Sequence, residues 1–199
     1  MSSSTAIHRP GRLMTAAELG MLVGMASIGM LFGTLMLSYG LARLRSPVWP
    51  PIGVTPIGAY FPSMGTAVLL ASSYFVHEAQ KSFMAQDFSR FRAFWRNASL
   101  LGVLFLGLQV AFWIQLQRSG FYASGNLYGG IVYVLTGVHA VHVLGGMAVL
   151  AYVFFKFKQP RLPKDLPVDF KSQAPKLAAW YWHFMDVLWI MLFILLVWM

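Results

Sequence analysis

Apolar residues along this chain come in long blocks, with most polar residues gathered between the blocks rather than alternating within them. A helix that crosses the hydrocarbon of a bilayer needs about 20 mainly apolar residues. Five stretches meet that need: residues 19–42, 57–83, 97–117, 127–155 and 177–199. None shows the period-two alternation, in pieces of about ten residues, that marks a membrane β-strand. The pattern predicts an all-α integral membrane protein, a bundle of five transmembrane helices forming one domain over residues 19–199. A polar tail, residues 1–18, precedes it. The tail lacks the apolar core and small-residue cleavage site of a secretory signal, so the first span is expected to be retained.

The basic residues between the blocks set the orientation. Lys and Arg collect in cytoplasmic loops. The tail, the 2–3 connection and the 4–5 connection together hold twelve of them, and the opposite side holds Arg43, Arg45 and Arg118. The expected topology is therefore N-terminus inside and C-terminus outside. The 1–2 connection carries Trp49, Pro50, Pro51 and Gly53, a proline-stiffened turn with a tryptophan suited to the membrane interface. The 4–5 connection, residues 156–176, is basic, contains four prolines and is expected to be an extended surface segment.

Composition agrees with this pattern and narrows the function. Of 199 residues, 58% are hydrophobic and 11% charged, against about 25% charged in an ordinary soluble domain. That shortage of charge excludes a soluble enzyme and a disordered chain. The absence of cysteine excludes disulfides, iron–sulfur clusters and thiolate metal sites. The formal charge of +9 is read as loop topology, so no nucleic-acid partner is expected.

Ionisable side chains within the spans carry the remaining information, because each costs roughly 2.5–3.5 kcal/mol at mid-bilayer and so needs a partner or a role. On the fourth span Thr136, His139, His142 and Gly146 recur at steps of three, three and four, which keeps them on one stripe. Gly145 and Gly146 there would let a neighbouring backbone approach closely. On the fifth, His183 and Asp186 are three apart between Trp182 and Trp189. His77 and Glu78 lie at the inner end of the second span, with Lys81 placed to pair with Glu78. Three readings are open: hydrogen-bonding anchors between helices, ligands of a haem or di-iron centre, or a proton path. No Glu-x-x-His motif occurs, and His77 and Glu78 point about 100° apart on a helix. The first reading is preferred: an inter-helix polar network of His139, His142, His183 and Asp186, with no catalytic residue and no metal site in this chain. Gly20/Gly24 and Gly29/Gly33 on the first span match the GxxxG packing spacing.

Four stretches, in order along the chain, resemble the subunit III family of haem-copper terminal oxidases. Trp180-Tyr181-Trp182-His183-Phe184-Met185-Asp186-Val187-Leu188-Trp189 resembles its W-Y-W-H-F-x-D-x-x-W signature. Thr136-Gly137-Val138-His139-Ala140-Val141-His142-Val143 is similar to T-G-x-H-x-x-H-V. Trp49-Pro50-Pro51-Ile52-Gly53 resembles W-P-P-x-G, and Leu69-Leu70-Ala71-Ser72-Ser73 resembles L-L-x-S-S.

The resemblance implies a short, five-helix member of a family whose larger versions have seven. It implies an accessory subunit that packs on subunit I beside subunit II, in a complex that takes electrons from cytochrome c. It further implies that the haems and copper lie in those partners, that phospholipids bind in a cleft between the helices, and that the chain lies in a bacterial inner (plasma) membrane. The family commonly carries an acid in A-S-E-x-M-x-F and in Q-x-x-E. Here Ile28 and Phe112 stand at those places. A related subunit of a quinol oxidase or a nitric oxide reductase is the alternative, and the W-P-P-x-G loop favours the cytochrome c oxidase.

Overall fold

The computed structural model describes residues 14–49, 58–158 and 168–198, with backbone alone for 158, 168–172 and 198. Pro50, Pro51 and Gly53 of the W-P-P-x-G loop lie outside the described residues, as do residues 1–13 and the middle of the 4–5 connection.

Five helices account for nearly all of what is described: α1 (Ala16–Arg45), α2 (Tyr60–Met84), α3 (Phe88–Arg118), α4 (Leu127–Lys158) and α5 (Val168–Trp198). Four of them, α1, α3, α4 and α5, contain stretches long and apolar enough to cross a membrane. α2 is not among them. It is the helix on which Ser63, Thr66, Ser72, Ser73, His77 and Glu78 are spread through the apolar run.

The observed ends depart from the hydropathy blocks where capping and amphipathic packing carry a helix beyond its apolar stretch. α1 starts in a capping box, in which the Thr15 hydroxyl accepts from the Glu18 backbone N–H and the Glu18 carboxylate accepts from that of Thr15. α3 begins nine residues earlier than expected. Asp87 caps it by accepting from the Arg90 N–H at 3.0 Å, and Phe91 and Trp95, one turn apart, already bury against the core. α5 likewise starts at residue 168, so the last nine residues of the expected extended segment are helical and Pro175 lies inside the helix. Proline lacks the N–H of the helical ladder, which is why sequence reading placed a break there.

A three-residue turn, Ala85-Gln86-Asp87, joins α2 to α3, with Gln86 at φ 61° and the Asp87 N–H donating to the Ser82 carbonyl at 2.9 Å. So short a link makes the two helices antiparallel neighbours, and they share the most extensive contact in the molecule. α2, α3, α4 and α5 each pack on the next and close a ring, with α1 laid against α4 and α5. The ring encloses Leu69, Val76, Phe91, Trp95, Phe105, Leu135, Leu150, Trp182 and Trp189. α1 buries only Phe32 and Tyr39 among its thirty residues. Ile28, Leu35 and Met36 are partly buried against the core, and much of the rest of its apolar surface, including Leu19, Val23, Met30, Leu37 and Leu44, faces outward, which soluble packing does not tolerate but a lipid environment does.

Candidate functional site

α5 supplies the polar residues that meet α2. The Ser73 hydroxyl and His183 Nδ1 are 2.6 Å apart across the α2–α5 contact. One turn along α5, Asp186 is 5% exposed. Its Oδ2 lies 3.9 Å from His183 Nδ1, too far for a hydrogen bond, and neither carboxylate oxygen has a donor among the described residues. A further turn on, Trp189 Nε1 donates to Thr66 Oγ1 at 3.0 Å, and Thr66 donates to the Pro62 carbonyl. Three consecutive turns of α5 thus address the same face of α2.

The α4 stripe points inward, and its members do different things. Thr136 is fully buried, accepts from Trp113 Nε1 at 3.0 Å and donates to the Val132 carbonyl. His139 is also fully buried but makes no hydrogen bond from either ring nitrogen. Aromatic rings surround it, with centroids 5.1 Å away for Trp189, 6.0 Å for Phe105 and 6.1 Å for Phe32. His142 is half-buried, and its Nδ1–H donates to the Val138 carbonyl of its own helix at 2.7 Å. Phe32 of α1 meets both imidazoles, its ring 5.5 Å from that of His142. The four sequence-nominated residues therefore divide. His183 and Asp186 sit together at Ser73, while His139 and His142 share Phe32 and exchange no hydrogen bond with them.

Gly146 has a different use from the one its sequence suggested. It admits a ring rather than a backbone. A side chain there would begin 3.0 Å from Tyr181 Cε1 and 3.2 Å from Trp182 Cε3. On the other side of the same indole, Gly102 of α3 leaves room for Trp182 Cη2, which would lie 2.9 Å from an added Cβ. Trp182 is 1% exposed and is held in a slot between two glycines from two helices.

Most of the inter-helix hydrogen bonds come from residues that sequence reasoning passed over. Trp95 Nε1 donates to the Leu150 carbonyl at 2.8 Å and ties α3 to α4. Ser72 donates to the Ala98 carbonyl at 3.0 Å and ties α2 to α3. Tyr181 donates to the His142 carbonyl at 2.9 Å and ties α4 to α5. The available signal was the indoles and hydroxyls inside apolar runs, whose donors need an acceptor once buried. At the far end of α1, Trp49 donates to the Tyr39 hydroxyl at 3.3 Å and its ring lies 4.8 Å from that of Tyr128. Of the other nominated residues, His77 is exposed, and Glu78 pairs with Lys81 at 2.9 Å on the surface. Ile28 and Phe112 occupy apolar packing positions, Phe112 being 3% exposed.

Would these side chains hold a haem or a metal ion? His139 is enclosed by rings, His142 is turned to its own backbone and His183 to Ser73. Among the described residues no three His, Asp or Glu side chains gather as a ligand set. Fold and site together define a membrane-embedded helical bundle whose polar side chains serve mainly to join helices.

Comparison with known proteins places this bundle. The family model described as cytochrome c oxidase subunit III matches residues 7–199. The chain is 32% identical over 178 residues to cytochrome c oxidase subunit 3 of Thermostichus vulcanus, covering 89% of this chain and 85% of that one. It is 29% identical over 176 residues to the protein of the same name from Synechocystis, covering 88% and 72%. With the Aedes aegypti protein of that name it shares 35% over 152 residues, 76% of this chain and 55% of the other. The chain belongs to the cytochrome c oxidase subunit III family.

Proposed function

We propose that the chain serves as the non-catalytic subunit III of a haem-copper cytochrome c oxidase, in a complex that passes electrons from cytochrome c to dioxygen and pumps protons. The observation that carries this reading is the family match over residues 7–199. A bundle in which Trp95, Trp113 and Trp189 donate their indole N–H, and Ser72 and Tyr181 their O–H, to neighbouring helices supports it. In this reading the haems and copper belong to partner subunits. This chain packs directly on subunit I, with subunit II in the same assembly, and phospholipids cover its apolar faces.

All five helices cross the membrane in this reading, α2 included. Its 25 residues span about 37 Å at 1.5 Å per residue, more than the roughly 30 Å hydrocarbon core. Its hydroxyls are also satisfied inside the bundle: Thr66 by Pro62, Ser72 by Ala98 and Ser82 by Glu78. In this reading the N-terminus is cytoplasmic and the C-terminus outside, which the weight of basic residues supports, and the membrane is the plasma membrane of a bacterium.

Affinity purification of the tagged chain in mild detergent, with mass spectrometry and a visible spectrum, tests the proposal. The expected result is co-purification with haem-bearing oxidase subunits and with cytochrome c oxidase activity. A stoichiometric Soret band in the isolated chain, or purification without any oxidase subunit, would refute it. Labelling of single cysteines introduced near each terminus reads the orientation.

A further inference from the structure

The bonds that join the helices leave an imidazole turned partly outward at a depth that neither water nor headgroups reach. Ser73 is thirteen residues from the start of α2 and eleven from its end. His183 is two residues from the middle of the apolar stretch Gln173–Val197 of α5. At 1.5 Å per residue both lie within about 3 Å of mid-bilayer, with the headgroups roughly 15 Å away. The His183 side chain is nonetheless 37% exposed.

The chemistry of that exposed edge follows from Ser73. Ser27, Thr34, Ser38, Thr66, Ser82 and Ser99 each donate to a carbonyl one turn back in their own helix. Ser73 does not, and its hydroxyl has one partner in hydrogen-bond geometry, His183 Nδ1 at 2.6 Å. The Ser73 proton is therefore directed at the Nδ1 lone pair, which leaves the ring proton on Nε2. Among the described residues Nε2–H has no acceptor, and acyl chains offer none. A donor left unmade in hydrocarbon is costly.

The surroundings of this donor form a seat. α1 and α2 both pack on α5 but share no contact with each other among the described residues. The strip of α5 between them carries His183, Val187, Met191 and Ile194 at steps of four, four and three, and the last three are about half exposed. His183, bonded to Ser73, marks the α2 edge of the strip. Phe184, whose ring would lie 3.7 Å from a Cβ on Gly29, marks the α1 edge. Residues at this spacing form one line along a helix, the arrangement by which a groove receives a second helix. Irregular backbone exposed to lipid does not occur at this depth, so a protein occupant here is helical.

We propose that this strip seats a transmembrane helix of another subunit of the oxidase, which aims a side-chain oxygen (hydroxyl, amide or carboxylate) at His183 Nε2–H as acceptor. The proposal rests on the oxidase assignment and the five crossing helices put forward above. It gives the imidazole a reason to stand at mid-bilayer. Val187, Met191 and Ile194 by themselves would let an apolar helix slide along α5, whereas one polar pair selects a single register.

The test uses the full-length tagged chain in its native membrane, carrying Val187→p-benzoylphenylalanine and irradiated before solubilisation. The expected product is a covalent adduct with a membrane subunit of the oxidase, mapped by mass spectrometry to a transmembrane segment. His183→Phe keeps a ring without the N–H. It should lower both the adduct yield and the fraction of chain retained in the solubilised complex about three- to tenfold, the contribution of one inter-helix hydrogen bond in a membrane. His183→Gln returns an N–H near the Nε2 position and should restore both. Adducts with lipid alone, with a second copy of this chain or with another part of it would overturn the inference, as would unchanged yield and retention in His183→Phe. If His183→Phe does not accumulate, the Val187 adduct in the otherwise unaltered chain decides. A chain that purifies without any oxidase subunit refutes the assignment to the complex instead, which separates the two failures.

Discussion

Trp182 between Gly102 and Gly146 offers the sharpest test of how this bundle is held, because two opposing effects on a glycine-to-alanine change can be separated. In an open helix position Gly→Ala gains about 1 kcal/mol from the smaller entropy cost of ordering the backbone. At Gly107, also in α3 and with nothing within 4 Å of an added Cβ, that gain should stand alone. At Gly102 the added carbon would collide with the Met147 sulfur, and it would sit 2.9 Å from Trp182 Cη2 and 3.2 Å from Cζ2, well inside the roughly 3.5–4.0 Å at which two carbons attract. The indole has little room to retreat, since its adjoining Cε3–Cζ3 edge is 3.2 Å from where a Cβ on Gly146 would be. Overpacking of this kind costs about 1–3 kcal/mol. Gly102→Ala should therefore fall about 1–3 kcal/mol below Gly107→Ala in reversible unfolding in mixed detergent micelles. Gly146→Ala should behave like Gly102→Ala, because Tyr181 is fixed by its bond to the His142 carbonyl. A cycle pairing Gly102→Ala with Trp182→Phe should show a favourable coupling for the indole's share of the clash, and one with Met147→Ala the share of the Met147 sulfur. If Gly102→Ala and Gly107→Ala agree within about 0.5 kcal/mol, the slot does not constrain the bundle and the reasoning fails.

Three further outcomes follow from the same contacts. Trp95→Phe removes the bond from α3 to the Leu150 carbonyl, which keeps its bond within α4, and should cost about 0.5–1.5 kcal/mol, read by the same unfolding assay. Trp189→Phe and Thr66→Val each break the 3.0 Å bond between α5 and α2, and the double variant should cost clearly less than the sum of the two. Glu18 is bonded to Lys176 at 2.7 Å and to the Thr15 backbone, so Lys176→Ala should speed amide hydrogen exchange in the first turn of α1. The same experiment on Lys81→Ala should leave α2 unchanged, since the Glu78–Lys81 pair is a solvated one within a single helix.

Much of the architecture was legible along the chain because hydropathy acts locally: an apolar run of sufficient length specifies a helix suited to lipid whatever surrounds it. Helix ends were less legible, since Asp87, Phe91 and Trp95 extend α3 by capping and one-sided burial rather than by hydropathy. The candidate site was legible only in part. The spacing of His183 and Asp186 showed that they share a face, but Ser73, the partner of His183, is 110 residues away. The stripe of His139 and His142 was likewise visible, whereas the aromatic enclosure of His139 depends on Phe32, Phe105 and Trp189 from three other helices.

The order of charge and apolarity by itself determined a membrane protein of long helices and, through four motifs in register, the family. The tertiary structure alone decided what the buried polar groups do. It turned Gly146 from a close-approach glycine into a seat for Trp182, gave the anchoring role to Trp95, Tyr181 and Ser72, and left Asp186 without a donor beside Ser73. Periodicity reports which face of a helix a residue occupies. What that face meets depends on side chains a hundred residues away, and a hydrogen bond is specified only when both partners are in place.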